Sequence, residues 1–181
     1  MIYAFLAKGF EEVEAIAAID VIRRAEIEIA TVGIGSKIVC GSHNIPVFCD
    51  MDESEINLAD DIDGILLPGG MPGTVNLEQN ETVNKFLDYC FLNNKLICAI
   101  CAAPSILGHK GMLKNKNAVC FPGFEDELEG AVISDEFVVT DDNIITAKGM
   151  GSAVKFGLEI VKKFRSDDFV NKLKSSLQCS I

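Results

Sequence analysis

Short apolar runs of strand character alternate with helical segments along this chain, and that rhythm constrains its fold more than any other feature. Ile2–Ala7, Glu26–Val32, Gly64–Leu67 and Leu96–Ile100 read as buried strands. Phe10–Ala25, Glu81–Asn93 and Ser152–Phe164 read as helices, the last with Val154, Leu158 and Val161 at helical spacing. Lys37–Cys40 and Ile45–Cys49 flank the turn-rich Gly41-Ser-His-Asn44 and predict a hairpin. Phe137–Thr140 and Ile144–Thr146 predict a second around Asp141-Asp-Asn143, after an apolar piece at Ala118–Phe121. Ser166 is placed to cap a final helix reaching about Leu177, with Asp167 and Asp168 in its first turn. Such alternation predicts an α/β architecture: a flavodoxin-like three-layer sandwich, its mostly parallel sheet covered by helices on both faces. No linker or repeat divides the chain, so residues 1–181 are expected to form a single domain.

In folds of this kind ligands sit outside the carboxyl ends of the strands. Three segments converge on that edge: Lys8-Gly9-Phe10-Glu11, Pro68-Gly-Gly-Met-Pro-Gly73, and the end of Lys95-Leu-Ile-Cys-Ala-Ile-Cys101-Ala-Ala-Pro-Ser105. In the third, an apolar strand stops at a cysteine, and small residues and a proline open a helix. The pattern predicts a sharp strand-to-helix turn that exposes Cys101, the device that presents the serine of G-x-S-x-G hydrolases. Backbone amides at the helix start are expected to favour a thiolate there. From pattern alone the alternative stays open, that Cys101 is a buried cysteine at a strand end. Cys98-Ala-Ile-Cys101 has the spacing of a dithiol redox centre, but Cys98 lies within the strand and faces away from its neighbour three residues on. No second such pair completes a zinc site, so no metal is expected.

The glycine pair Gly69-Gly70 follows a buried strand and lets backbone N–H groups approach a ligand as an oxyanion cradle. It also reads as a turn that simply accommodates the chain. Glu11 and Glu12 suit the positive end of the first helix. Glu14 has Ala17, Ala18 and Val21 at helical spacing and points inward, where a carboxyl group has a raised pKa and can stay protonated. The neighbours of Glu12 are apolar too, and helical arithmetic leaves it open. His43 falls in the hairpin turn and His109 at the end of the short helix after Cys101, so no Cys–His pair is expected.

A formal charge of −11 argues against nucleic acid or an anionic membrane surface as partner. No apolar run approaches a membrane span, and the apolar start has no basic flank, which predicts a cytoplasmic protein. An odd count of seven scattered cysteines agrees with reduced thiols.

Five motifs in order resemble the ThiJ/PfpI superfamily, in its Parkinson-linked deglycase (DJ-one) branch. They are Leu6-Ala-Lys-Gly-Phe-Glu-Glu-Val-Glu14, Asp20-Val-Ile-Arg-Arg24, Leu67-Pro-Gly-Gly70, Ala99-Ile-Cys-Ala-Ala-Pro104 and Thr146-Ala-Lys-Gly-Met-Gly151. The resemblance implies that Cys101 is the reactive cysteine and Glu14 its buried acid partner. It implies that the amides of Gly70 and Ala102 face the sulfur, with Gly69 and Arg24 at the pocket rim. It implies a homodimer, no cofactor, and glyoxalase-like or deglycase-like chemistry on small 2-oxoaldehydes such as methylglyoxal. The other reading is a non-enzymatic redox sensor or chaperone-like protein in which an oxidant converts Cys101 to the sulfinate. Where the family carries a pocket histidine before a proline, this chain has Phe121-Pro122. Residue 102 is alanine rather than the histidine of the proteolytic branch, and no histidine follows His109, which argues against peptidase and amidotransferase activity.

Overall fold

A computed structural model describes residues 1–58 and 61–179. The sheet has seven strands in the order β10-β11-β7-β6-β1-β2-β5. They are β1 (Ile2–Leu6), β2 (Ile29–Gly33), β5 (Met51–Asp52), β6 (Gly64–Leu67), β7 (Leu96–Ile100), β10 (Val138–Asp141) and β11 (Ile144–Ala147). All neighbours run parallel except β10 and β11, which form a hairpin turned by Asp142 in the left-handed region. Two ribbons lie outside the sheet: the hairpin β3 (Ile38–Cys40)–β4 (Pro46–Phe48), and the parallel pair β8 (Asn117–Ala118)–β9 (Val132–Ile133).

The period of two in β1 explains the layering, because alternate side chains must point to opposite faces. Ile2, Ala4 and Leu6 pack with α1 (Glu12–Arg24), α5 (Ala153–Lys162) and α6 (Asp167–Ser176). Tyr3, Phe5 and Ala7 pack on the other face with α2 (Gly73–Gln79), α3 (Glu81–Leu92) and α4 (Pro104–His109). Both faces are covered, as the runs of consecutive apolar residues require. Each fully buried Leu, Ile or Phe in these layers contributes roughly 1.5–3 kcal/mol.

Several boundaries differ from the sequence reading for identifiable reasons. Glu26–Glu28 do not join β2. Glu26 adopts a left-handed conformation, and Arg165 donates to the carbonyls of Ala25 and Glu26, closing the end of α1 instead. Of Ala118–Phe121 only Ala118 is paired as strand, alongside Asn117, and the chain then turns back so that the Phe121 N–H donates to the Cys101 carbonyl. Helix α2 has no sequence signature, since its seven residues include Gly73 and Asn76 and its buried residues are only Gly73, Thr74 and Leu77. The final helix is capped as expected, with the Ser166 hydroxyl accepting from the Phe169 N–H.

His109 is more than a charge at a helix end. Its Nδ1 lies 2.5 Å from Glu78 at the end of α2, and its Nε2 lies 2.7 Å from Glu127 in the 3-10 turn Glu125–Glu127. Hydrogen bonds to the two carboxylates raise its pKa above the usual histidine value. A raised pKa stabilises the fold fully below the unfolded value, and that contribution is lost as pH rises through the folded one. His109→Gln is therefore expected to lower the melting temperature more at pH 6 than at pH 9. Equal losses at both pH values would contradict the clamp.

Candidate active site

Sharp exits from the parallel strands build the site. At the end of β7, Cys101 sits at φ 67°, a conformation uncommon for any residue with a side chain. Neighbouring backbone holds it there: its N–H donates to the Ala147 carbonyl at 2.8 Å, and its carbonyl accepts from Phe121 at 2.8 Å. The turn through Ala102 and Ala103 into Pro104 then starts α4. At the end of β6, Gly69 approaches so closely that a Cβ there would lie 2.5 Å from the Cys101 Cβ and 2.7 Å from Glu14 Oε2. The close packing, not turn freedom alone, accounts for Gly69.

The acids in the first turns of α1 are sorted by what they face. Glu11 is the N-cap, its carboxylate accepting from the Glu14 N–H at 2.7 Å. Glu12 is 5% exposed and reaches the β3–β4 turn, accepting from the His43 N–H at 2.7 Å and meeting His43 Nδ1 at 2.9 Å. Burial alone would raise its pKa, but hydrogen bonds from the His43 ring and from backbone N–H groups bring it down to about 2. Glu12 is thus a structural carboxylate that anchors the hairpin.

Glu14, 1% exposed, faces Cys101. Burial pushes its pKa up to about 7, aided by the charge on Glu11 and opposed by hydrogen bonds from the Cys101 thiol and from the N–H groups of Gly69 (3.0 Å) and Met150. Burial likewise raises the Cys101 thiol, to about 12, with the Glu14 charge and hydrogen bond adding to it. The N–H groups of Ala102 and Gly70 face the sulfur and oppose that rise without overcoming it. This corrects the expectation of a thiolate set by helix amides alone. While Glu14 is ionised the sulfur keeps its proton, so the two groups share one proton over a wide pH range.

Structure and sequence reading part at Arg24. It stands in the last turn of α1, exposed and paired with Asp20 at 2.6 Å. Ten residues of helix separate it from Glu14, about 15 Å of rise, so within this chain it is not at the rim of the Cys101 pocket. Sequence reasoning missed Met150, whose backbone N–H donates to Glu14. A backbone donor from a loop leaves no residue-type signal, although Thr146–Gly151 was among the recognised motifs. Gly149 shares this loop, and a Cβ there would lie 3.9 Å from the Cys101 sulfur and 3.3 Å from the Phe121 ring.

Cys98 is fully buried among the α1 and α5 contacts, and every cysteine is unpaired. Among the described residues, Glu11, Glu12 and His43 have donor atoms within 4.8 Å of one another and could hold a cation, although Glu12 is already engaged by the hairpin. A wide cavity of about 570 Å³ opens at the opposite end of the strands, lined by Asp63, Lys95, Asp142 and Lys163 without a cysteine or a hydroxyl residue. No helix among the described residues is long and apolar enough to cross a membrane.

A strained cysteine after a parallel strand, beside a buried glutamate and two backbone amides, is the arrangement that the sequence resemblance implies. The chain matches the DJ-1/PfpI family over residues 1–163. It belongs to that family. It is 32% identical over 175 residues to protein dj-1beta of Drosophila melanogaster, covering 95% of this chain and 93% of that one. It is also 32% identical over 183 residues to the glutathione-independent glyoxalase DJ-1 of Schizosaccharomyces pombe, covering 96% and 95%. The structure of oxidized Toxoplasma gondii DJ-1 superposes with a TM-score of 0.94 at 28% identity, covering 99% of this chain and 98% of that one. These DJ-1/PfpI relatives share the mostly parallel sheet with helices on both faces.

Proposed function

We propose that this protein is a stress-related, cofactor-independent glyoxalase-like or deglycase-like enzyme acting on small 2-oxoaldehydes such as methylglyoxal. The observation that carries this reading is the hydrogen-bonded pair of Cys101 and a buried Glu14 whose pKa is raised to about 7. A group with that pKa can take and return a proton near neutrality. Similarity to a relative named a glyoxalase supports the reading.

The Cys101 sulfur adds to the aldehyde carbon as its proton passes to Glu14 and on to the carbonyl oxygen, giving a hemithioacetal. Glu14 then removes the C1 proton and an enediol forms. Return of a proton to C2 and loss of the C1 hydroxyl proton leave a thioester, so C1 is oxidised as C2 is reduced. Water cleaves the thioester to release lactate and the thiol. In this mechanism the N–H groups of Gly70 and Ala102, which face the sulfur, would stabilise the oxyanion that develops beside it. The experiment is incubation of the purified protein with methylglyoxal, with lactate followed by NMR. Steady lactate production is expected; none would overturn the enzymatic reading.

A second reading is a peroxide sensor, favoured by the same pair. One peroxide converts the thiol to the sulfenic acid and releases water, and a second converts that to the sulfinic acid. A protonated Glu14 would donate to the resulting sulfinate. Absence of lactate together with peroxide oxidation confined to Cys101 would select this reading.

The protein is further read as a cytoplasmic homodimer. Seven unpaired cysteines support a reducing compartment. Val13, Ile16 and Ile45 form an exposed apolar face on α1 and the hairpin turn, around a shallow cavity of about 430 Å³. Such a face supports pairing of like copies. The protein is expected to sediment as a dimer and Ile16→Glu as a monomer; a monomeric parent protein would contradict this.

A further inference from the structure

We propose that the Cys101 site, among 2-oxoaldehydes, favours those with an apolar, aromatic-sized substituent over glyoxal and methylglyoxal. This deepens the oxoaldehyde reading and rests on it. An apolar cleft of about 310 Å³ is lined by Phe121, Pro122, Phe137 and the loop Lys148–Ser152. Its large side chains are unusually open for their type, with Phe121 47%, Phe137 61% and Met150 55% exposed. Scattered apolar exposure needs no explanation, but three large side chains around one concavity do.

The cleft continues to the reacting atoms. Gly149 belongs to its wall, and a Cβ there would lie 3.3 Å from Phe121 Cδ2, 3.6 Å from Glu14 Oε1 and 3.9 Å from the Cys101 sulfur. The missing side chain is therefore what leaves the sulfur open to the phenylalanine wall. Nor is this wall loose. The Phe121 N–H is tied to the Cys101 carbonyl, Ser152 Oγ is tied to the Gly149 carbonyl, and Lys148 holds its ammonium 5.5 Å from the Phe137 ring centre while donating to the Asp135 carbonyl. An aldehyde carbon bonded to the sulfur would direct its C2 substituent either to solvent or along this cleft. An apolar group gains by taking the cleft, and glyoxal has no group to place there.

Carried through the same steps, phenylglyoxal yields mandelate. The test measures kcat/KM for glyoxal and phenylglyoxal with the parent protein, Phe121→Ala and Phe137→Ala. In parallel, Cys101 alkylation rates are measured with N-methyliodoacetamide and N-benzyliodoacetamide, normalised to their rates with glutathione. In the parent protein the aromatic member of each pair is expected to be favoured at least about tenfold. Phe121→Ala is expected to bring both ratios near unity, with Phe137→Ala in between. A merely structural role would lower all rates together and leave the ratios in place. Ratios near unity in the parent protein, or ratios unmoved by Phe121→Ala, overturn the pocket. No product from either aldehyde, with the benzyl preference intact and lost in Phe121→Ala, overturns the oxoaldehyde chemistry and leaves the apolar pocket standing.

Discussion

Cys101→Ser is expected to abolish lactate production from methylglyoxal, leaving only the rate seen without protein. The hydroxyl is a far weaker nucleophile, and Glu14, with a pKa of about 7, is a poor match for ionising it. Glu14→Gln keeps the shape of the side chain. Its amide oxygen can still accept from the Gly69 N–H. It cannot carry a proton between C1 and C2. A loss of about 10²- to 10⁴-fold in kcat is expected, the usual range for removal of a general acid–base group. Wild-type turnover in either variant would place the chemistry elsewhere. Parallel circular dichroism spectra separate loss of chemistry from loss of fold.

A large loss of stability is expected from Gly70→Ala. Gly70 sits at φ +89°, which costs a residue with a side chain about 1–2 kcal/mol. A Cβ there would also press on the Glu11 backbone nitrogen and lie 2.6 Å from the Gly9 carbonyl oxygen. Backbone cannot swing aside as a flexible side chain can, and forced overpacking costs about another 1–3 kcal/mol. A total of about 3 kcal/mol moves the urea midpoint down by roughly 1–2 M. Gly35→Ala serves as the control. It has φ +78° and nothing within 4 Å of a Cβ, so only the conformational part applies. Equal midpoint shifts for the two variants would contradict the close approach of the Gly70 loop to the start of α1.

The candidate site was legible where side-chain type carries the information. Cys101 stood out because an apolar strand ends in small residues and a proline, and only a tight turn joins those patterns. The inward face of Glu14 followed from Ala17, Ala18 and Val21 at helical spacing. Glu12 could not be separated from it by that arithmetic. The two differ in what lies across from them, a hairpin turn rich in N–H donors against a thiol, and tertiary structure alone sets this. The Met150 donor and the open Gly149 wall escaped notice because backbone groups have no residue signature. Arg24 matched a motif, yet the length of α1 puts it out of reach. Helix α2 was hidden by weak helix formers and only one large buried side chain.

The shared proton is tested most directly by the pH dependence of Cys101 alkylation with iodoacetamide, followed by mass spectrometry from pH 5 to 10. Between the first and second deprotonations the pair holds one proton, and the fraction of that state with the proton on Glu14 does not depend on pH. The parent protein should therefore show a rate that rises with a midpoint near pH 7 and stays level from about pH 8 to 10. In Glu14→Gln the thiol titrates alone, its pKa still raised by burial, and the rate should climb about tenfold per pH unit through the same interval. Superimposable profiles for the two proteins would contradict a glutamate-coupled cysteine.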